Sequence, residues 1–588
     1  MRRDLLILFF ILLSSALMAD ERTNEAPSFK VQGIVTDEKG EGLPGASVWV
    51  KGTVVGAGTN AKGEFSFKLS SKNKCVLRVS FTGYEPQERE VTPGVDSLYR
   101  FVLESSNNAL NEVVITGTRT LKPLKDVPVL TRVISSEDIA QVNPLDLQSL
   151  LEYEMPGLQF GLAHGSGLPE LKFQGSAGGY VLFMIDGERV AGEGSSNNID
   201  YSLIDMDNVE RIEIVKGPMS TLYGSQAMGG VVNIITKDAN RPFTGNVSVR
   251  YGNNDESKYS LSLGTKQGRF SALTSLSYRK RDAYALKDEE GQIEYSYYKD
   301  IYGRDSVVAD TSEKGMSSVN GFEIWQANQK LSYTFNENFR ISLNGTYYNN
   351  DVLEYVEQKE KDRFSNYSIN PRVYYAINDS HILDFSYVFE NYEKRYVYTT
   401  SLPSKKVFGD LTNTVRLNYT GYIHEKHTLT AGIEVNTQKL QHYWFDNGSG
   451  KKFDAQTYVL YLQEDYEVSD SFSVLAGVRS DCHSKYGFHA SPKISLMYKY
   501  GVLTLRGGYG MGFRIPSLKE LHSEYDMGGQ GFFMIYGNED LEPEISHQGT
   551  FSAEVTKGIF NGSVSGYYTR FFDEIALGLT SDGKDQQY

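Results

Sequence analysis

A chain of 588 residues with a formal charge of -15, 40 Tyr, 30 Phe and 56 Gly but only 16 Pro and 2 Cys excludes several classes at once. The acidic balance argues against nucleic acid as a partner, and Cys75 and Cys482, far apart and in no CxxC pair, give no basis for a disulfide framework or a Cys-based zinc site. Mean hydropathy is -0.39 and the only long apolar run is Leu5–Leu13. That run is far short of the ~20 apolar residues of a spanning helix, so a helical membrane topology is excluded. A transmembrane β-barrel is not excluded, because its strands alternate lipid-facing and lumen-facing side chains and its aromatics form interface girdles.

In chain order, Arg2 and Arg3, the run Leu5–Leu13 and the small residues from Ser14 to Ala19 read as an export signal over residues 1–19, cleaved after Ala16 or Ala19. No Cys lies nearby, so no lipid anchor is expected. Residues 29–104 alternate period-two strands with Gly/Asn/Asp turns and predict a small all-β domain. Its turns fall at Gly42–Ala46 and Asn60–Gly63, with strands at Glu64–Leu69, Cys75–Phe81 and Leu98–Leu103. A polar linker, Ser105–Leu110, precedes Asn111–Thr120 (NEVVITGTRT), whose β-prone run Glu112–Thr116 has the form of a peptide that adds a strand to a partner's sheet edge. Read alone, the run is equally an ordinary edge strand.

From Leu121 to Lys237 the pattern becomes mixed. A helix is expected to start at Ser135 or Ser136, and a second apolar helical run, Leu145–Leu151, stops at Met155-Pro156-Gly157. Ala163–Gly167 (AHGSG) and Ala191–Asn198 are Gly/Ser/Asn-rich loops. The strand-like runs Val209–Val215 and Val231–Thr236 flank a glycine-punctuated turn. Beyond Phe243 roughly fifteen alternating strands follow, joined by short connections such as Asn336–Asn338 and Ser469–Asp470 and by long polar ones such as Arg281–Phe322, the loop asymmetry of an outer-membrane barrel. The chain ends in the polar Ser581–Tyr588.

Val181–Val190 (VLFMIDGERV) and Val209–Lys237 (VERIEIVKGPMSTLYGSQAMGGVVNIITK) resemble the plug of TonB-dependent outer-membrane transporters. The resemblance implies a mainly β protein: a transmembrane antiparallel barrel, of ~22 strands in plugged transporters, filled by an α/β plug. Here residues 243–588 would form the barrel, expected to lack its closing C-terminal strands, and residues 121–237 the plug. Residues 29–104 resemble the carboxypeptidase-regulatory-like β-sandwich that precedes the plug on the periplasmic side in many such receptors, without a peptidase ligand set. Residues 111–120 resemble the TonB box segment, with Glu112, Val113, Val114, Ile115 and Thr116 as its strand. The partners so implied are TonB with its inner-membrane energising complex, outer-membrane lipid and a small ligand.

Gly512–Leu521 and Gly537–Glu544 resemble two further boxes of the family, with Phe513, Arg514 and Pro516 in the first and Asn538, Asp540 and Leu541 in the second. Ile515 departs from the Ala of the first box and Glu539 from the Pro of the second, and such boxes are generic to siderophore and cobalamin receptors. Haem receptors carry a His between the boxes and another on a plug loop. Here those positions hold His522 and His164, and two neutral imidazoles facing across a cavity can ligate haem iron axially. Otherwise both are ordinary loop residues. Met527, Phe532, Phe533, Met534 and Tyr536 give the intervening loop an apolar, aromatic face suited to haem, to a corrin or to packing.

No catalytic constellation stands among the nine scattered His, and no HExxH, GxSxG or phosphate loop has a supporting context. The expected protein is therefore not an enzyme and holds no permanent cofactor. It is an energised importer of a scarce iron complex, haem or a ferric siderophore. A cobalamin receptor, a glycan-type nutrient receptor, a passive channel and an adhesin are the alternatives.

Overall fold

The computed structural model describes residues 29–588 apart from single residues and short stretches, among them 105–112, 163–168, 193–198, 286–293, 300–304, 311–317, 355–359, 528–532 and 581–584. The export signal, Glu112, His164 and Phe532 lie outside the described residues. The chain divides into two units, Met1–Ser106 and Asn107–Tyr588.

The first unit is a sandwich of two sheets. One sheet has the order Glu64–Leu69, Phe29–Asp37, Tyr99–Leu103, and the other the order Gly56–Gly58, Ser47–Val50, Cys75–Ser80, Gln87–Val91. Strict alternation explains the layering: in Glu64–Leu69 every second side chain is buried. Val31, Val35, Val48, Phe65, Phe67, Leu77, Val79 and Phe101 meet between the sheets in one core.

The second unit begins with an α/β plug. Ser135 caps the helix Ser136–Val142 by a reciprocal bond with Asp138, and Asp146 caps the helix Leu147–Glu154 with Ser149 in the same way. A five-stranded sheet has the order Thr131–Ile134, Val209–Lys216, Gly230–Thr236, Val181–Ile185, Glu188–Arg189. Its strands are near-continuous apolar runs because both faces are covered. Ile212, Ile214 and Val232 pack with Leu147, Leu150 and Leu151, while Val215, Val231 and Leu182 pack with Leu222 and the barrel residues Val459 and Tyr461.

The rest is one antiparallel meander of fifteen strands. They are β1 (Thr244–Tyr251), β2 (Ser257–Gln267), β3 (Phe270–Arg281), β4 (Gly321–Asn336), β5 (Phe339–Leu353), β6 (Glu360–Asn378), β7 (His381–Tyr398), β8 (Lys405–His424), β9 (His427–Gln441), β10 (Lys452–Ser469), β11 (Phe472–His483), β12 (Gly487–Tyr500), β13 (Leu503–Arg514), β14 (Glu544–Lys557) and β15 (Phe560–Phe572). The period-two rule decides which way each side chain faces. On β10, Tyr458, Leu460 and Leu462 are exposed on the outer surface, while Val459, Tyr461 and Gln463 between them are buried against the plug. That outward apolar band is the lipid-facing surface of a membrane barrel.

The sequence reading took Arg281–Phe322 as a long polar loop. The structure places β-pairing inside it: Tyr284–Ala285 with Ser318–Val319, and Glu294–Lys299 with Asp305–Asp310. Tyr295, Tyr297, Tyr298, Val307 and Val308 are β-prone residues that favour strand pairing here, a signal the surrounding charges obscure.

Candidate functional site

Two-residue turns such as 337–338, 379–380 and 470–471 join the strands at one end, and the long connections lie at the other. In outer-membrane barrels the short turns face the periplasm, which orients the molecule. Each end carries a distinct arrangement of polar groups.

At the periplasmic end, the segment expected as an extended strand over Glu112–Thr116 is shorter and is docked in the plug. Val113–Val114 pairs with Lys122–Pro123, and the chain then turns, with Val114 and Thr116 fully buried. The reason is Glu213, a wholly buried carboxylate on the plug strand Val209–Lys216. Its Oε2 accepts from Ile115 N (3.0 Å), Thr116 N (2.8 Å) and Thr116 Oγ1 (2.7 Å), while Oε1 accepts from Arg211 Nε (2.9 Å). Asn233 Nδ2 donates to Thr116 Oγ1 (2.9 Å), and the Tyr223 hydroxyl donates to the Thr116 carbonyl (3.0 Å). Burial, outweighing the nearby charges, pushes the Tyr223 phenol up to about 12, so it stays a donor. Thr116 thus bonds to both central strands of the plug sheet and to the helix Ser220–Tyr223. Tension on this segment reaches the middle of the plug directly.

Pulling the segment out strips three donors from a buried carboxylate, each worth about 1.5–3 kcal/mol for a charged partner. Glu213→Gln keeps the shape but removes the charge, so the segment is expected to be released more readily. A spin label at Val113 should pass from an immobile to a mobile spectrum in that variant; an unchanged spectrum would show that the carboxylate does not hold the segment.

The residues that follow are fastened to the barrel wall. Arg119 donates to Tyr461, to Asn418 Oδ1 (3.4 Å) and to the Leu222 carbonyl (2.8 Å), with its guanidinium over the rings of Tyr223 and Tyr461. Lys122 pairs with Asp465 (2.9 Å) and Asp126 with Lys499 (2.6 Å). Above them, Arg416 joins plug Glu188 (2.9 Å) to Glu434 (2.7 Å), and Arg479 is paired with Asp481 (2.9 Å). Gly224 is fixed by this network, since a Cβ there would lie 2.6 Å from Arg479 Nη2. Sequence reasoning missed these residues. The available signal was Glu213 itself, a charge inside the apolar run VERIEIV, together with Arg119 directly after the strand segment.

At the outer end, both box motifs serve architecture. Arg514 closes β13 with a bidentate pair to Glu544 on β14 (Nε–Oε2 2.7 Å, Nη2–Oε1 2.8 Å) and reaches both oxygens of Glu520 (3.0 Å). Glu520 also completes the cap of the helix Leu518–His522 with Ser517. Phe513 is buried, with His489 stacked at 5.3 Å, and Pro516 is buried beside it in sequence. Asn538 donates its N–H to the Glu520 carbonyl and accepts from Asp540 N, and Leu541 N points back to the Asn538 carbonyl. The second box is thus a turn seated on the helix that the first box positions.

His522 lies flat on Phe453 (3.8 Å, 7° between planes) and its Nδ1 bonds Glu539 (2.9 Å). Burial pushes its pKa down, and Glu539 opposes that shift. Its partner in the haem reading, His164, lies outside the described residues. Phe533 and Tyr536 belong to the turn and strand that return beside Glu524–Asp526. Loop 442–451 folds onto the same segment: Glu524 N donates to the Trp444 carbonyl (2.7 Å), and Trp444 stacks on Tyr525 (5.6 Å, 8°). Lys519 Nζ sits 3.4 Å from the centre of the Trp444 ring, and Lys394 Nζ lies 5.9 Å from that of Tyr443. Burial first, then Lys519 and Lys394, push the His442 pKa well down, so this imidazole is neutral. Beneath it, Tyr392, Phe408, Phe445 and Leu518 form a core that also touches plug residues Ala191 and Leu203. Among the described residues, aromatic side chains and buried lysines pack together at this end.

A strand barrel occupied by an α/β plug, with the segment Val113–Thr116 docked at its inner end, defines a plugged outer-membrane receptor. Family models agree in order along the chain. A CarboxypepD_reg-like domain matches residues 31–115, a TonB-dependent receptor plug domain residues 123–231, and a TonB-dependent receptor-like β-barrel residues 291–588. The chain belongs to the TonB-dependent receptor family and is an outer-membrane protein. It is similar to the iron-regulated outer membrane virulence protein of Vibrio cholerae (25% identical, covering 79% of this chain and 69% of that one). It is also similar to the vitamin B12 transporter BtuB of Vibrio vulnificus (26% identical, 75% and 68% covered). Among solved structures, a mutant of the ferric enterobactin receptor PfeA of Pseudomonas aeruginosa in complex with enterobactin has a TM-score of 0.61 (19% identical, 78% and 76% covered). The siderophore receptor PirA of the same organism has a TM-score of 0.59 (20% identical, 78% of each chain covered).

Proposed function

We propose that this receptor imports a ferric siderophore, an anionic iron(III) chelate with aromatic arms, using the energy delivered by TonB through Glu112–Thr116. The observation that carries the ligand class is the outer mouth. Lys519 over Trp444, the stacked Trp444–Tyr525 pair and Lys394, which is ion-paired with Asp362 (3.0 Å) beside Tyr443, bring cations and aromatic faces together; both lysines are buried, so they would meet a negatively charged aromatic ligand once these loops part. The names of the similar proteins, which include an iron-regulated outer-membrane protein and siderophore receptors, support iron over other cargo. Cobalamin is the alternative suggested by the vitamin B12 transporters. Haem is a second reading that rests on His522, whose ring would have to leave Phe453 and Glu539 to reach an iron.

A deletion strain should be tested with a ferric tricatecholate of the enterobactin kind, haem and cyanocobalamin as separate limiting nutrients. Growth on the tricatecholate should be lost and then restored by the wild-type gene, should fall with Lys519→Gln, and should not respond to His522→Ala. Growth that depends on the receptor only with haem, and is abolished by His522→Ala, would replace the siderophore reading with haem. Dependence only with cyanocobalamin would replace it with the vitamin.

A further inference from the structure

The loop that follows β9 opens on a tight turn built around His442. Phe445 N donates to the His442 carbonyl (3.0 Å) and Trp444 N donates to His442 Nδ1 (3.0 Å), so this residue supplies both the main-chain and the side-chain acceptor of the turn. The first position of such a turn is ordinarily Asp, Asn or Ser, whose side chain accepts from the N–H two residues on. An imidazole there brings something the turn does not need.

What it brings is a proton on its second nitrogen. A neutral imidazole that accepts at Nδ1 carries its hydrogen on Nε2. His442 is 2% exposed, and its Nε2 has no hydrogen-bond partner among the described residues. Nearly all buried polar groups in folded proteins are paired, so an orphaned donor calls for a reason. The ring is enclosed by other rings: Tyr443 is stacked at 4.6 Å, with Phe408, Phe445 and Trp444 at 5.4, 5.7 and 5.8 Å. Such neighbours offer at most a weak contact to a ring face in place of an oxygen acceptor.

The charges acting on this imidazole have one sign. Both are lysines, Lys519 packed on Trp444 (3.4 Å) and Lys394 ion-paired with Asp362 (3.0 Å). An Asp at this position would cap the same turn and add a negative charge beside them; the neutral imidazole caps it and adds none. A buried N–H in positive, aromatic surroundings suits an oxygen anion carried on a ring. Loop 442–451 is held down by the strand Glu524–Asp526, through Glu524 N to the Trp444 carbonyl (2.7 Å), Asp526 N to Asn447 Oδ1 (2.7 Å) and the Trp444–Tyr525 stack. Parting these two segments frees the loop that carries the imidazole.

We propose that His442 is a ligand-recognition residue, whose Nε2–H donates to a deprotonated oxygen of the iron chelate once the two segments part. This rests on the siderophore reading above and deepens it by naming the group that selects an oxygen-anion rim. The same tautomer bars His442 from ligating iron, since Nε2 carries a proton and the Nδ1 lone pair is held by Trp444 N.

Two amides separate the roles of the ring, each in the full chain expressed in deletion cells. His442→Asn places an oxygen where Nδ1 accepts, which keeps the turn and removes the distant donor. His442→Gln places amide hydrogens near the Nε2 position and gives up the turn acceptor. Equilibrium binding of 55Fe-enterobactin is measured on intact, de-energised cells, with trypsin cleavage at Lys451 and Lys452 as the report on the turn. Affinity should follow the donor: His442→Asn should lose about tenfold or more, as for a hydrogen bond to a charged partner, and His442→Gln should stay within about threefold of wild type. Cleavage should follow the turn, unchanged in His442→Asn and raised in His442→Gln. Uptake at saturating ligand should be unchanged in both, because the contact acts on binding. Any result in which His442→Gln binds no better than His442→Asn would overturn the assignment and leave the siderophore reading intact. Absence of saturable 55Fe-enterobactin binding by the wild type would overturn that reading, and the assignment with it.

Discussion

Val114→Pro is expected to abolish energised uptake while ligand binding at the outer face persists. Proline removes a main-chain donor from the ladder, and a hydrogen-bonding group left unpaired costs about 1–3 kcal/mol. That is about five- to a hundredfold in the affinity of strand addition to a partner. Val114 is also buried in the plug cluster with Val127, Val215 and Leu222, so the substitution loosens the resting segment as well. Both effects act at the periplasmic end, far from the outer end where Lys519 packs on Trp444. Uptake and surface binding of the labelled tricatecholate, measured side by side, separate the two ends. Wild-type uptake in the variant would mean that the segment does not receive the pull.

Arg514→Met should collapse the outer mouth. The guanidinium is the cation for two buried carboxylates, Glu544 and Glu520, and it bonds directly across the β13–β14 register, in which Arg514 faces Glu544. Removing one partner of a buried pair leaves uncompensated charge, at about 3–5 kcal/mol. Here the loss falls on the helix Leu518–His522, on the Asn538 turn seated on it and on Lys519 over Trp444. The expected result is protease cleavage within residues 515–543 and loss of ligand binding, with the barrel still inserted in the outer membrane. Adding Glu520→Gln and Glu544→Gln to Arg514→Met should recover part of the protease resistance, because neutral amides tolerate burial better than unpaired carboxylates. A single variant with wild-type binding and protease resistance would show that the mouth does not depend on this cluster.

Local periodicity made much of the fold legible in the chain. Val209–Lys216 and Gly230–Thr236 read as strands around a glycine-rich turn, and Thr457–Tyr466 reads as a strand too, although its run YVLYLQ is apolar at five consecutive positions and only the fold shows which residues face the plug. Ser135 and Asp138 announce a capped helix in the same way, since a cap is a contact between residues three apart. Short-range physics writes such features into adjacent residues, and they survive in sequence. The boxes around Arg514 and Asn538 were visible as wording, but their role was not. Only the folded chain brings Glu544, thirty residues on, opposite Arg514, and turns two motifs into one brace for the mouth.

The sequence by itself therefore determined a plugged strand barrel with a small β-sandwich ahead of it and a β-prone segment between them. Tertiary structure alone decided the state of that segment. A five-residue β-prone run reads the same whether it is free or sequestered, and the carboxylate that buries it comes from Glu213, almost a hundred residues further along.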